Sequence, residues 1–291
     1  MLTHHNLEAS LPSRVVVLGA KGFVGQALLQ SLGKSKVMVR AIGRSEVDLA
    51  AEDAADRLAA ELKPNDTVVF LSAITPDKGL GIAPFLANLR MGAALCAALE
   101  KRPVAHVVYV SSDAVYPFRT GLVNEESPAE PVDLYGAMHL SREIMVKQGT
   151  KAPVAILRAT LVYGAADSHN SYGPNRLRRM ARKDGRMSLF GAGEETRDHI
   201  YINDVTALIG QVIRHRSSGT LNLASGFSIS YADLAAKIAK LFLSKIEIIT
   251  TPRQNPITHR AFDITAVYRA FPAFRFTPLD QGLALSHRNE A

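Results

Sequence analysis

The 291 residues are 47% hydrophobic and 21% charged, enough apolar material for one large core, or a large and a small lobe, and too much for a disordered chain. A single cysteine, Cys96, excludes a disulfide framework, and the apolar run 91–99 around it reads as a helix with a buried thiol rather than a nucleophile. The formal charge of +7 is spread along the chain, and its densest cluster, 176–183, has no interleaved aromatics, so small anions are expected as partners and nucleic acid is not.

Residues 1–13 hold two histidines and a glutamate where a leader would be basic and then apolar, so a flexible N-terminal tail is expected. No run of about 18 residues is unbroken in its apolar character, so no membrane span is expected and a cytoplasmic location follows. A first strand is predicted at 14–19, then a helix at 23–32, a strand at 37–42, a helix at 51–62 and a strand at 67–71. A long helix follows at 80–101, a strand at 104–110, a helix at 135–148 and a strand at 154–157. These strands are continuous runs of Val, Ile and Leu, which implies a sheet covered on both faces, and their alternation with helices implies right-handed parallel crossovers. The predicted fold class is α/β, with a doubly wound parallel sheet.

Past Tyr163 the pattern changes to a loop-rich stretch at 164–173, a basic helix and a glycine-rich segment at 185–197. A helix at 203–215 and a strand at 221–223 read as a return to the main sheet, and Ser230 with Asp233 forms a capping box opening the last part. The expected division is a dinucleotide-binding domain at 14–165, rejoined by 200–225, and a smaller C-terminal substrate lobe from 166–199 and 226–291.

Directly after the first strand stands Gly19-Ala-Lys-Gly22-Phe23-Val24-Gly25, opening into a helix. Glycine suits such a turn because it is tight, the backbone must approach a pyrophosphate, and the helix N-terminus offers free N–H groups and a positive dipole end. That context makes the fold Rossmann-type and the partner a dinucleotide. At the end of the second strand, where an NAD enzyme places an acid for the ribose 2′-hydroxyl, stand Gly43-Arg44-Ser45. Arg44 suits two-pronged pairing with a 2′-phosphate and Ser45 a hydrogen bond to it, so NADP is expected, with NAD as the alternative. No metal is expected.

Further motifs run along the chain: Val68-Val-Phe-Leu-Ser72-Ala73, Asn88, Ser111-Ser112-Asp113-Ala-Val-Tyr116, Tyr135-Gly-Ala-Met-His139, Leu157-Arg-Ala-Thr-Leu-Val-Tyr-Gly164 and Arg197-Asp-His-Ile-Tyr-Ile-Asn-Asp204. With them, from Val15 to about Leu283, the chain resembles the nucleotide-sugar epimerase, dehydratase and reductase branch of the extended short-chain dehydrogenase/reductase superfamily. The resemblance implies that Tyr135 is the acid/base, that Ser112 holds the same substrate oxygen, and that Ser72, Ala73, Asp48 and Leu49 line the cofactor. The last two would match an adenine-contacting pair after a third strand.

Where the superfamily has a lysine four residues after the tyrosine, this chain has His139. An ammonium is a fixed charge, whereas an imidazole is mostly neutral at pH 7, so either Arg142 or another cation supplies the field, or activity is shifted to higher pH, slowed, or confined to steps in which Tyr135 donates a proton. Asp113 matches the acid of dehydratases and reductases, but Ala114 stands where dehydratases carry a glutamate, which favours reduction or epimerisation.

On the substrate side the resemblance implies nucleotide-diphosphate contacts at Asn170, Asn175, Arg176, Arg197, Arg260 and Asp263, while Leu161 replaces an asparagine common in relatives. The expected function is an NAD(P)-dependent epimerase or reductase of a nucleotide-activated sugar, a homodimer through the helices at 80–101 and 135–148. A catalytically silent NADP(H)-binding protein and a reductase of a non-sugar carbonyl remain open.

Overall fold

The computed structural model describes residues 1–118, 121–167 and 173–289. In chain order come β1 (Leu2–Thr3), β2 (Arg14–Leu18), α1 (Phe23–Gly33), β3 (Met38–Ile42), α2 (Ala54–Glu61), β4 (Asp66–Phe70), α3 (Ile82–Lys101) and β5 (His106–Ser112). A 3₁₀ turn (Asp113–Val115), β6 (Leu122–Val123), α4 (Leu134–Gln148), β7 (Val154–Ala159), β8 (Leu161–Tyr163), α5 (Gly173–Asp184), β9 (Arg186–Phe190) and β10 (Thr196–Tyr201) follow. The chain ends with α6 (Ile202–Arg214), β11 (Ser218–Leu223), β12 (Ser228–Ser230), α7 (Tyr231–Ala239), β13 (Glu247–Thr251), β14 (Ala261–Phe262), α8 (Thr265–Ala270) and α9 (Leu279–Arg288).

The main sheet runs β3-β2-β4-β5-β7-β11-β1, parallel except for β1. It is the α/β, doubly wound sheet the sequence predicts. In β2, Val15 and Val17 face Leu28 of α1 and Val205, Leu208 and Ile209 of α6, while Val16 and Leu18 face Leu58, Leu95, Leu99 and Val146 of α2, α3 and α4. Both faces are buried, which is why these strands are unbroken apolar runs. Arg14 pins the start of β2 to β4 by a bidentate bond to Asp66, at 2.8 and 2.6 Å. Strand order reverses between β2 and β4, and this opens a crevice at their carboxyl ends.

Two expectations need correction, and a third gains a detail. Residues 1–13 are not a free tail. β1 pairs with Gly219 and Ser218, and His4 bonds the Ser217 hydroxyl at 2.7 Å and the Ala270 carbonyl at 3.0 Å. A Cβ on Gly219 would lie 2.2 Å from the Met1 carbonyl oxygen, so glycine there admits the N-terminus. No further strand lies between β3 and Asp48, since turns fill the segment between β3 and α2. Finally, α3 is long and apolar enough by length and composition to cross a membrane; here it packs on the sheet through Leu95, Ala98 and Leu99.

A second core lies beside the sheet. Tyr163, Leu177, Met187, Leu189, Ile229, Leu234 and Ile238 unite β8, β10 and β12 with α5, α7 and the paired β9 and β13. This lobe joins the sheet directly, because β8 follows β7 after a single residue, Thr160.

Candidate active site

The glycine loop is built on two close approaches. Gly19 has φ +87°, and a Cβ there would lie 2.8 Å from the Ser72 amide nitrogen; a Cβ on Gly25 would lie 2.3 Å from the Gly19 carbonyl oxygen. The loop therefore seats α1 against β2 and β4 with no side chain in the way. Gly22 is the N-cap of α1 and no side chain caps the helix, which leaves first-turn N–H groups directed at the crevice.

Two joined cavities extend from this loop. One, of about 300 Å³, includes Gly19, Lys21, Gly22, Arg44, Asp48, Leu49, Ser72 and Ala73. Arg44 bonds Asp48 at 3.0 Å with its side chain 85% exposed, so it is available to a ligand. Ser45 lies outside the lining and accepts a hydrogen bond from Lys21 at 2.6 Å. Lys21 and Glu46 escaped the sequence reading. Glu46 folds back on the Gly43 amide at 2.9 Å and sits 3.5 Å from Lys21. This end of the crevice thus carries two cations, Lys21 and Arg44, and two carboxylates, Glu46 and Asp48.

The second cavity, of about 220 Å³, is lined by Gly22, Phe23, Val24, Gly25, Ser112, Asp113, Tyr135, His139, Thr160, Leu161 and Asp167. Ser112 ends β5, and its hydroxyl accepts from the Ala114 amide at 3.1 Å. Asp133 caps α4 by accepting from the Gly136 amide at 2.8 Å. A Cβ on Gly136 would lie 2.1 Å from the Ala114 carbonyl oxygen, so glycine after Tyr135 lets α4 begin against the 3₁₀ turn and brings Tyr135 beside Ser112.

Burial raises the pKa of Tyr135 far above its ordinary value, aided by Tyr109 and Asp113 and opposed by Arg142 and Ser112. His139 lies one turn on, edge-on to Tyr135 at 4.7 Å between centroids, and its Nδ1 is 2.7 Å from the Tyr109 hydroxyl. Burial and then Arg142 push its pKa well down, so the imidazole is neutral at pH 7. The fixed cation is Arg142, fully buried, 4.0 Å from the Phe70 ring centroid and donating to the Ser72 carbonyl at 2.8 Å. Asp113 has a raised pKa through burial, opposed by Arg260, Arg197 and Ser112.

The expected substrate residues fall into different places. Arg260, 3% exposed, donates to the Asp113 carboxylate at 3.0 Å, to its carbonyl at 2.6 Å and to the Tyr116 carbonyl at 2.8 Å. It holds Asp113 rather than standing free for a diphosphate, because a buried carboxylate needs a partner. Arg197 donates to the Thr258 carbonyl and hydroxyl, both at 2.7 Å. The two guanidiniums lie 4.2 and 5.3 Å from the half-exposed ring of Phe118, just beyond Asp113. Arg176 joins Phe190, Glu195, Tyr231 and Asn255 around a further cavity of about 260 Å³. Asn175 is buried and bonds the Asp167 carboxylate. Asp263 accepts from the Thr265 amide at the start of α8, at 2.8 Å, and lines none of these cavities. Asn170 lies outside the described residues.

The NAD dependent epimerase/dehydratase family matches residues 15–224. Among curated relatives, the N-acetyl-α-D-glucosaminyl-diphospho-ditrans,octacis-undecaprenol 4-epimerase of Escherichia coli O157:H7 is 25% identical over 256 residues, 82% of this chain and 75% of that protein. The fold matches a UDP-N-acetylglucosamine 4-epimerase from Methanobrevibacter ruminantium M1, solved with UDP-N-acetylmuramic acid, at a TM-score of 0.82 and 21% identity over 96% of this chain and 98% of that one. It matches a GDP-L-fucose synthetase from Naegleria fowleri, bound to NADP, at 0.82 and 17% identity over 99% and 97%. With the glycine loop, Ser112 and Tyr135 in one crevice, and nearly three quarters of its length matched, the chain belongs to the NAD dependent epimerase/dehydratase family.

Proposed function

We propose that the chain is a cytoplasmic NADP-dependent epimerase or reductase of a nucleotide-activated sugar, in which Tyr135 carries the proton and Ser112 fixes the reacting oxygen. The observation that carries this reading is the convergence of Ser112, Tyr135 and His139 with the glycine loop on one cavity. The residues fit a dinucleotide: the cradle at Gly19 and Gly25 has no room for a Cβ, and His139 Nε2 is a buried polar atom with no partner among the described residues. The loop and the start of α1 would hold the pyrophosphate, Lys21 and Arg44 a 2′-phosphate, and His139 the nicotinamide ribose. Glu46 is the group that favours the alternative, NAD. When bound, the nicotinamide supplies hydride exchange.

The chain's own residues supply the proton and the field. Ser112 steadies the substrate oxygen, and Tyr135 gives it a proton or takes one. Arg142 is the fixed charge that favours the tyrosinate. Arg176, Phe190 and Tyr231 form a cavity suited to an anionic, planar nucleotide, with Arg197 near its diphosphate. We assign a homodimer to the same reading, with α3 and α4 of each copy covering the exposed Ile82, Leu86 and Ile144.

The neutral His139 and the raised pKa of Tyr135 favour one competing reading, a silent binder of NADP(H). A thermal-shift screen of NAD, NADP and a panel of nucleotide sugars tests ligand class. At a hundredfold excess over Kd a true ligand stabilises the fold by about 2.7 kcal/mol. A rise in melting midpoint with NADP and with at least one nucleotide sugar is expected, and no rise with either nicotinamide cofactor would reject the reading.

A further inference from the structure

We propose that Tyr109 is a positioning residue that locks His139 in the Nε2–H tautomer, making its free nitrogen a neutral hydrogen-bond donor to the cofactor. The inference rests on the reading of the crevice as a nicotinamide site. Tyr109 stands on β5, three residues before Ser112, with its ring 1% exposed between Phe70 and His139. Among the described residues its hydroxyl has one hydrogen-bond partner, His139 Nδ1 at 2.7 Å.

A neutral imidazole has one donor and one acceptor nitrogen, and the hydrogen bond made by one fixes the role of the other. If the Tyr109 hydroxyl donates to Nδ1, both groups are satisfied there and Nε2 carries the proton. If Nδ1 were the donor, the buried hydroxyl proton would have no acceptor and the Nε2 lone pair no donor, two unmet groups in place of one. The first arrangement leaves a single orphan, the Nε2–H, which is buried, has no partner among the described residues and belongs to a residue lining the cavity with Gly22, Ser112 and Tyr135. A ligand hydroxyl in that cavity would complete the set.

The neutral state of His139 follows from its surroundings. The Arg142 guanidinium, one turn further along α4, lies 5.1 Å from the Tyr109 ring centroid and opposes a second positive charge beside it. Tyr109 is itself pushed up to about 12, chiefly by burial, so it keeps its proton to donate. Charge and hydrogen-bond donor, which one lysine ammonium would combine, are divided here between Arg142 and His139. The Tyr109 hydroxyl is what makes the division definite.

The tautomer is readable in the free protein by nitrogen-15 NMR of labelled histidine, with His139 identified by the signal lost in His139→Gln. The Nε2–H form, unchanged across neutral pH, is expected in wild type, and a mixture of tautomers in Tyr109→Phe, whose ring still fills the gap beside Phe70. Calorimetric titration with NADP and NAD should show the preferred cofactor bound about two- to threefold more weakly by Tyr109→Phe, the inverse of the fraction left in the Nε2–H form, with the melting midpoint little changed. An Nδ1–H tautomer in wild type, or equal cofactor affinity in both proteins, would overturn the proposal. Wild type that binds neither cofactor would instead overturn the reading of the crevice, whatever the tautomer.

Discussion

His139 moves the fixed positive charge of the site one helical turn along α4, to Arg142, and Gly92 of α3 makes the space for it, since a Cβ there would lie 3.1 Å from Arg142 Cγ. The sequence exposed the local half of this arrangement. Gly19, Gly22, Gly25, Ser112 and Tyr135 could be placed because each sits at a strand end or helix start marked by its neighbours. Tyr109 could not, since an aromatic in an apolar strand reads as core. The engagement of Arg260 was equally hidden, because its partner Asp113 is 147 residues away. Lys21 lay inside the glycine loop, where attention goes to the glycines. Cofactor choice is expected to rest on the Lys21 and Arg44 pair. Arg44→Asp should weaken NADP about tenfold or more, the scale of a charge-assisted contact, and leave NAD unchanged or improved. Titration of both cofactors decides it, and unaltered NADP affinity would remove the case for a 2′-phosphate at Arg44.

Among the elements of the first 160 residues, α1 to α4 and the strands β2, β3, β4, β5 and β7 were legible because each is long enough to show its own pattern, with ends shifted by only a few residues, whereas the two-residue β6 was not. The turns that replace a third strand before α2, and β1, were not legible. Two residues carry no periodicity, and β1 exists only because β11 offers an edge. Where β5 meets the loop before β11, His106 donates through Nε2 to the Ser217 carbonyl at 2.7 Å, and burial lowers its pKa from 6.5 to about 4, with Arg216 and His5 assisting. The unfolded chain then binds more protons than the folded one between pH 4 and 6.5, so stability is full above that window and falls as pH drops through it. The loss attributable to this one residue approaches about 3 kcal/mol by the lower end. Thermal melts should therefore show a fall in midpoint from pH 7 to pH 4.5 that is shallower in His106→Gln. Parallel curves for the two proteins would refute the assignment.

For the whole molecule, the sheet and α4 carry the glycine loop, Ser112 and Tyr135, while the second lobe sets Arg197 near Asp113 and Arg176 on a separate cavity. A hydrophobic pattern announces layers but not how one layer overhangs another, so the sharing of Asp113 between the sheet and the lobe's Arg260 became visible only in three dimensions. The exposed side of α3 and α4 sets the expectation for assembly. Sedimentation should give a dimer for wild type and a monomer for Leu86→Glu with Ile144→Glu, and a monomeric wild type would refute the assigned interface.

The enzyme is separated from the silent binder by the pH–rate profiles of wild type, His139→Lys and Tyr135→Phe with the cofactor and sugar nucleotide found by thermal shift. Burial holds Tyr135 above its ordinary pKa, so wild-type turnover limited by its deprotonation should climb toward alkaline pH. A lysine at position 139 should draw that climb toward neutrality, and loss of the hydroxyl should lower turnover by about 10²–10⁴-fold. Turnover in wild type that collapses in Tyr135→Phe is the expected result, and no turnover in any of the three, with cofactor demonstrably bound, would contradict the assignment of Tyr135 as the proton carrier of an enzyme.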